Sequence, residues 1–558
     1  MTETVSRPRR WGRPLDLPAR VALVLGLVGI AYRLALILLT VPGSNSDEAT
    51  FGLAAAHIAK GRAFPVFLYG QHYMGVLESY LAAPLFALFE PGWVLLRLPL
   101  LGLWAAFVYL IYRLTRAIYS PWLAAVVVGL LTPGSERVIR DQITTVGGRP
   151  EIKPAVVGLL LIALALGQRR IRHRPLAFAG FGLIAGICLW VDWLVLPYLV
   201  VAVGVLVVGC WREPFGPAVP LVVAGFLLGL APLILDNLTA PPGQDTLSVL
   251  REVGSGQGEE RVPTTEERLH GAVLLGLPLA SGLCPSDGCA RWQLGWGVIY
   301  PLLLLVAAAL AVAGLIRPRP VGADRGLGAG SGLSRRMPYL VQLALPLAAA
   351  LTLLAYLRNP LSGNAPLASA RYLSVLQISL PAVLWPLWLL ARCTRSSRRG
   401  ARHARVVTAV RVGAGTLAGT LLAALAATML AMTGLLISHI PDIRAEERRA
   451  TELARTLERA DLRFVYGEYW TCNRLIFISQ ERVTCAVLGR TLRPGQNRYP
   501  PYQRAVDQAD RPAFVFAEDS PAAAALRQRL DQDGVAVRVT AVGQWRIFEP
   551  EVAFRPWR

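Results

Sequence analysis

Two adjacent carboxylates, Asp47 and Glu48, stand directly after the first apolar run, in the stretch Ser44-Asn-Ser-Asp-Glu-Ala-Thr-Phe51. The same loop continues Phe64-Pro-Val-Phe-Leu-Tyr-Gly-Gln-His-Tyr-Met-Gly-Val-Leu-Glu78, adding His72, Tyr73 and Glu78. Arg97 follows inside the next apolar run. A carboxylate at a membrane surface can take a proton from an attacking hydroxyl. An arginine within a span is costly and demands an anion, either Glu78 or a phosphate group. A structural reading competes: Ser46 is a good N-cap, and acids in a first turn complement the helix dipole by about 0.3–1 kcal/mol each. A second loop, Ser135-Glu-Arg-Val-Ile-Arg-Asp141 through Gly147-Gly-Arg-Pro-Glu151, supplies Asp141, with Lys153 just beyond. Arg371 stands in a late cluster with Arg358, Asn359 and Tyr372, and reads equally as an arginine reaching for the interface. Asp192, between Trp190 and Trp193, reads as an interfacial turn rather than an acid catalyst.

The elements that must position these groups are membrane helices. Of 558 residues 54% are hydrophobic and 17% charged, against about 25% charged in soluble domains. That excludes a single soluble globule and any disordered or collagen-like class. Apolar runs of about 20 residues can cross a bilayer. Eleven spans are expected, near residues 21–41, 93–112, 121–131, 152–167, 176–190, 193–211, 218–236, 296–316, 338–357, 372–391 and 412–438. The run Val76–Phe89 is too short for a crossing, and suits a helix that lies in or dips into the membrane.

The net charge of +21 would suggest nucleic acid in a soluble protein. Basic patches interleaved with aromatics are missing from the sequence, so nucleic acid is not an expected partner. The charge follows topology instead. The segments assigned to the cytoplasm (1–20, 113–116, 168–174, 211–217, 317–337, 392–411) hold 24 arginines in 79 residues, whereas the external loops hold 11 basic residues in 142. By the positive-inside rule the N-terminus is cytoplasmic and the segment from Pro441 lies outside a plasma membrane that the chain crosses many times.

Cys284 with Cys289, and Cys472 with Cys485, share external segments where disulfides form, though free thiols are the alternative. No histidine at ligand spacing favours zinc at either pair. Residues 441–558 read as a small α/β domain, after a membrane part spanning 1–440 whose loops 42–92 and 134–151 carry the chemistry. The domain's charged helix is Arg444–Leu457 and its second helix Pro521–Leu530. Its strands are expected at Arg463–Tyr466, Leu475–Ile478, Ala513–Ala517 and Val535–Val542. The glycine-rich stretches Gly254–Gly258 and Gly326–Gly332 lack the context of a nucleotide loop and read as flexible loops.

The Asp-Glu pair, a helix ending at Gly61, the run Tyr-Gly-Gln-x-Tyr-Met-Gly-x-Leu-Glu and Arg-Leu-Pro at 97–99 together resemble the GT-C membrane glycosyltransferases. The resemblance is to the protein O-mannosyltransferase and aminoarabinose-transferase-like branch (glycosyltransferase family 39-like), and covers roughly residues 20–400. It implies an all-α polytopic membrane protein with about eleven transmembrane helices, to which the residues themselves add a small C-terminal α/β extracytoplasmic domain. It also implies a polyprenyl-phosphate sugar as donor, attacked at the anomeric carbon with inversion. Asp47 matches the family's base. Arg97 comes first as the cation for the leaving phosphate, then Arg371 and Lys153, while Glu78 and His72 orient the sugar or the base. Glu48, Tyr73 and Asp141 complete the expected substrate-binding set. No cofactor is required, and a divalent metal is admitted without a definite ligand set. The acceptor, whether protein, lipid or glycan, stays open. The second loop departs from the family pattern, since Thr144-Thr-Val-Gly-Gly148 aligns with no motif.

Two rivals are weighed. A transporter or flippase with an external domain should show internal repeats, and none is visible. A phosphoethanolamine-type transferase needs a Ser or Thr nucleophile with a metal cluster, which the C-terminal domain lacks. That domain lies beyond the resemblance, and its external placement alone suggests acceptor selection.

Overall fold

In a computed structural model, the described residues are 15–211, 213, 218–255, 261–318, 332–397 and 405–557. The N-terminal ten helices are α1 (Leu17–Leu38), α2 (Ser46–Ala59), α3 (Leu77–Leu88), α4 (Trp93–Ile118), α5 (Pro121–Leu131), α6 (Glu136–Ile143), α7 (Arg149–Gly167), α8 (Arg174–Val191), α9 (Leu196–Gly209) and α10 (Ala218–Thr239). Four further long helices follow, Gly295–Ile316, Gly332–Arg358, Leu380–Ser397 and Arg405–Ser438. Among the described residues nine helices are long and apolar enough to cross a membrane, which makes the chain a multi-pass membrane protein.

Every expected span is helical, but two are shorter than a crossing. Helix α5 is 11 residues long, a rise of about 16 Å, half the hydrocarbon thickness. It breaks at Pro133-Gly134 and continues as α6 after a bend of 98°. The other is the 3-10 turn Trp193–Val195 running into α9. Among the described residues the count is therefore nine, or ten if the bent pair is one span, close to the eleven expected. Helix α3 has 12 residues and is the short apolar helix expected over Val76–Phe89. Much of the arginine-rich segments assigned to the cytoplasm, and most of both glycine-rich stretches, lie outside the described residues.

The bend is secured from α1. Arg33, fully buried, donates to the Leu131 and Thr132 carbonyls at 3.0 and 2.9 Å, where the end of α5 leaves acceptors without helical partners. It also donates to Gln142 Oε1 from Nη2 at 2.6 Å, and stacks over Trp104 at 3.7 Å. Arg33 thus holds both arms of the break.

The C-terminal domain opens with the charged helix Ile440–Arg459. Its five strands are β1 (Phe464–Gly467), β2 (Thr484–Val487), β3 (Ala513–Ala517), β4 (Val537–Val542) and β5 (Trp545–Pro550), in sheet order β2-β1-β3-β5-β4. β1 pairs in parallel with β2 and β3, and β5 runs antiparallel to β3 and β4. The expected strand Leu475–Ile478 is instead the end of a helix, Tyr469–Ile478. A short apolar run has no period of its own to separate helix from strand. Here Leu475, Ile476 and Phe477 are all buried in the layer between the sheet and the membrane helices. Both expected disulfides are formed, and Cys472–Cys485 ties this helix to β2.

One face of the sheet packs Phe514, Phe516 and Phe548 against the helix Pro521–Gln532. The other face, with Val465, Val515 and Ile547, joins a core that also contains Ala49, Leu53 and Ala56 of α2, Phe86 of α3 and Leu96 of α4. The two parts of the chain therefore share one apolar core across α2, the helix that begins with the two acids.

Candidate active site

Helix α2 starts one residue earlier than the capping argument required. Asn45 is its N-cap and accepts from Glu48 N at 2.9 Å, while the Ser46 hydroxyl donates to the Tyr469 carbonyl in the C-terminal domain. The turn then splits its acids. Glu48 points inward and is fully buried against Arg97, with Nε to Oε1 and Nη2 to Oε2 both 2.7 Å. The arginine expected to meet a donor phosphate, or Glu78, is thus held bidentately by Glu48, because the first turn of α2 faces the first turns of α4. Both charges are spent on each other.

Asp47 points the other way, into a cavity of about 620 Å³. The same cavity is lined by Tyr73, Asp141 and Arg371 of the expected set, with Glu136, Arg137 and Arg140 of α6, Arg149 of α7 and Asp192. The spacing explains the α6 contribution. Residues 136, 137, 140 and 141 recur on one helical face, with Asp141 at its buried edge, while Val138, Ile139, Gln142 and Ile143 are buried on the others. The 98° bend lays that polar face along the cavity.

The wall behind α6 needs its two glycines. Gly147 and Gly148 both have φ of +79°, and a Cβ on Gly148 would stand 2.4 Å from Asp192 Cβ. This turn is the segment that matched no motif. Asp192 is indeed a turn residue, accepting from Leu194 N at 2.9 Å, and it also faces the cavity.

The remaining expected residues fall elsewhere. Glu78 is buried behind the glycine turn, its Oε2 3.5 Å from Gly147 N and close to Glu151. Lys153 is buried, with Nζ 3.5 Å from the Asp141 carbonyl oxygen. His72 offers its main-chain carbonyl to Thr246 Oγ1 at 2.7 Å and does not line the cavity.

Electrostatics separates the arginines. Arg149 pairs with Asp141 at 3.1 Å, and Arg140 with Glu136 at 2.7 Å. Arg137 and Arg371 have no carboxylate partner at ion-pair distance among the described residues. Arg137 donates to the Ser286 carbonyl at 3.1 Å, and Arg371 lies 5.5 Å over the Tyr372 ring. Two guanidiniums without a direct ion pair, sharing a partly enclosed polar space with Asp47 and Asp141, are suited to meet an anionic group.

The residues that sequence reasoning missed come from the C-terminal domain. Tyr469 donates its hydroxyl hydrogen to Asp47 Oδ1, and Arg498 Nη2 donates to the same oxygen at 3.0 Å. Arg498 Nε also donates to the Tyr469 hydroxyl oxygen at 2.8 Å. Burial and the neighbouring Asp47 raise the Tyr469 pKa, so the phenol stays a donor. Asp47 Oδ2 has no hydrogen-bond partner among the described residues. No local signal marks Tyr469 or Arg498, which lie 422 and 451 residues from Asp47 in the chain.

A second interdomain cluster sits at the end of α2. His57 Nδ1 lies 2.7 Å from the Tyr69 hydroxyl, and Nε2 lies 3.0 Å from Glu481 Oε1. Glu481 also binds Lys60 and Arg62 at 3.0 Å each and accepts from Tyr502 at 3.1 Å. As for metal, no group of three or more His, Cys, Asp or Glu residues among the described ones stands ready to hold an ion.

The multi-pass helical part, with its short and broken helices, and the C-terminal sheet domain together form a fold that recurs in a solved membrane protein. Among solved structures it is similar to ArnT from Cupriavidus metallidurans bound to undecaprenyl phosphate, with a TM-score of 0.57 and 14% identity over 96% of this chain and 98% of that one. The apo state of ArnT gives a TM-score of 0.56 at 15% identity, covering 96% and 97% of the two chains. An archaeal oligosaccharyltransferase, AglB from Archaeoglobus fulgidus, matches at a TM-score of 0.46 and 13% identity, over 90% of this chain and 69% of that one. No protein-family profile matches the chain, and no curated protein matches it in sequence.

Proposed function

We propose that the protein is a membrane glycosyltransferase that moves a sugar from a polyprenyl-phosphate donor to an acceptor hydroxyl at the external face, with inversion. The observation that carries this is the cavity itself: Asp47, whose Oδ2 has no hydrogen-bond partner among the described residues, shares it with Arg137 and Arg371, neither of which is in a direct ion pair there. The ArnT structure that shares the fold binds undecaprenyl phosphate, and a lipid phosphate is the anion these arginines suit.

Asp47 Oδ2 takes the proton from the acceptor hydroxyl as its oxygen attacks the anomeric carbon. The bond from that carbon to the phosphate oxygen breaks, and the lipid phosphate leaves with the electron pair. Arg371 and Arg137 stabilise that departing charge, so no general acid is needed. Arg137 and Arg371 take the role first assigned to Arg97, and the Arg149–Asp141 pair braces the wall between them. The reading places the cavity and the C-terminal domain outside a plasma membrane, with the N-terminus in the cytoplasm.

The test uses the full chain in lipid nanodiscs, a panel of radiolabelled polyprenyl-phosphate sugars, and membrane extract as acceptor. Wild type transfers label, and Asp47→Asn loses at least about a hundredfold in rate with its melting temperature unchanged. Full activity in Asp47→Asn rejects the base assignment. Loss of donor binding in Arg371→Met, with Asp47→Asn still binding, is the expected sign of the phosphate site.

A further inference from the structure

Neighbouring acids on one turn are held in opposite ways. Glu48 has both oxygens engaged by Arg97, which is the arrangement that best neutralises a buried pair. Asp47 has one oxygen held by two donors and the other left open toward the cavity. An ion pair serving only to dock a domain would gain most from the bidentate form. The one-sided form fixes the carboxylate plane and leaves a lone pair aimed outward.

The donors are themselves pre-set. Arg498 is 7% exposed, stacks 5.5 Å from the Tyr469 ring, and is backed by the Gly70 turn, whose Cβ would stand 3.4 Å from the Arg498 carbonyl oxygen. On its N-terminal side Asn497 accepts from Val487 N at 2.8 Å. On its C-terminal side the Tyr499 ring lies 4.6 Å from Tyr69 and 5.1 Å from His57. Tyr469 begins the helix that the Cys472–Cys485 disulfide ties to β2. Rigid support on each side is what positioning a reacting group requires.

We propose that Tyr469 and Arg498 are positioning residues of the transfer reaction: through Oδ1 they orient Asp47 so that Oδ2 meets the acceptor hydroxyl. This rests on the reading of Asp47 as the base. It makes the C-terminal domain a component of the active site, in addition to any part in choosing the acceptor. As the new bond to the anomeric carbon forms, the acceptor proton passes to Oδ2, while Tyr469 and Arg498 keep their own protons and stay bound to Oδ1.

The experiment compares Arg498→Met, Arg498→Lys and Tyr469→Phe with wild type and Asp47→Asn, all as full chains in nanodiscs, with the donor that wild type uses. Arg498→Met is expected to lower kcat about a hundredfold with the KM for donor unchanged, the effect of a misplaced reacting group. Tyr469→Phe should lower kcat by about tenfold, and Arg498→Lys should recover part of the loss. Wild-type kcat in both Arg498→Met and Tyr469→Phe, with Asp47→Asn inactive, overturns the positioning role while leaving the base intact. A loss in Arg498→Met that lysine does not restore, and that tracks a lowered melting temperature, overturns it as well. Full activity in Asp47→Asn removes the base reading and this inference with it.

Discussion

At the scale of single residues, the first turn of α2 divides its labour between two carboxylates. Glu48 and Arg97 are both fully buried. Removing one partner of such a pair strands the other charge in a low-dielectric interior and costs about 3–5 kcal/mol, whereas replacing both costs much less. Arg97→Met and Glu48→Met should therefore each lower the melting temperature in nanodiscs more than the double Met variant does. Equal losses in singles and double would show that the pair is not coupled. The sequence made the two acids visible and left their roles undivided, because i and i+1 differ by 100° around a helix and only the packing of α4 decides which faces inward. His72 reads as a functional histidine by its company, yet the histidine whose ring nitrogens both find partners is His57, a helix-internal residue that meets Tyr69 nearby and Glu481 over 400 positions away.

At the scale of elements, membrane helices were legible because apolar length is a local property. Their breaks were less so. The sequence marks Pro133-Gly134 clearly, but not that Arg33 from another helix would hold both arms of the bend. The strand at Leu475–Ile478 failed for the opposite reason: four apolar residues fit either state until the face of α2 selects a helix. Two close approaches test these elements. Gly148→Ala asks for a Cβ 2.4 Å from Asp192 Cβ at a φ of +79°, a strain of about 1–3 kcal/mol. It should cut transfer sharply and lower the melting temperature. A Cβ on Gly52 would meet the Phe477 ring at 2.5 Å, and that ring is held 4.5 Å from Trp93. Gly52→Val should separate α2 from the helix Tyr469–Ile478, seen as faster proteolysis between residues 438 and 464 with the membrane part intact.

At the scale of the whole molecule, polar clusters around Asp47, His57 and Ser44 and one apolar core join the C-terminal domain to the membrane part. Their pH dependence follows from Glu481. Burial would raise its carboxyl, but hydrogen bonds from His57 and Lys60 outweigh burial and hold it at about 2. An acid whose folded value is depressed contributes stability above its unfolded value, about 4.3, and loses it as the pH falls toward 2. Docking should thus loosen between about pH 4 and pH 2, measured as hydrogen exchange in α2, and Glu481→Gln should flatten that dependence. A wild-type profile flat over this range would remove Glu481 from the interface energetics. The α/β character of the C-terminal domain was legible in the sequence. Its place in the site was not, because no pattern within one segment reports a contact between the first loop and the last hundred residues.

The 451-residue separation between Asp47 and Arg498 also orders events in time. The helix bearing Asp47 emerges from the ribosome first, and the residues that hold its carboxylate emerge among the last. By the proposed topology those residues must then be translocated and folded, with Cys472 and Cys485 oxidised, before the clamp can close. A chain interrupted during insertion would carry a recognisable cavity and an unheld base. On the proposed reaction, competence is accordingly a late product of this molecule's biogenesis, and a half-made copy lacks the residues that hold Asp47.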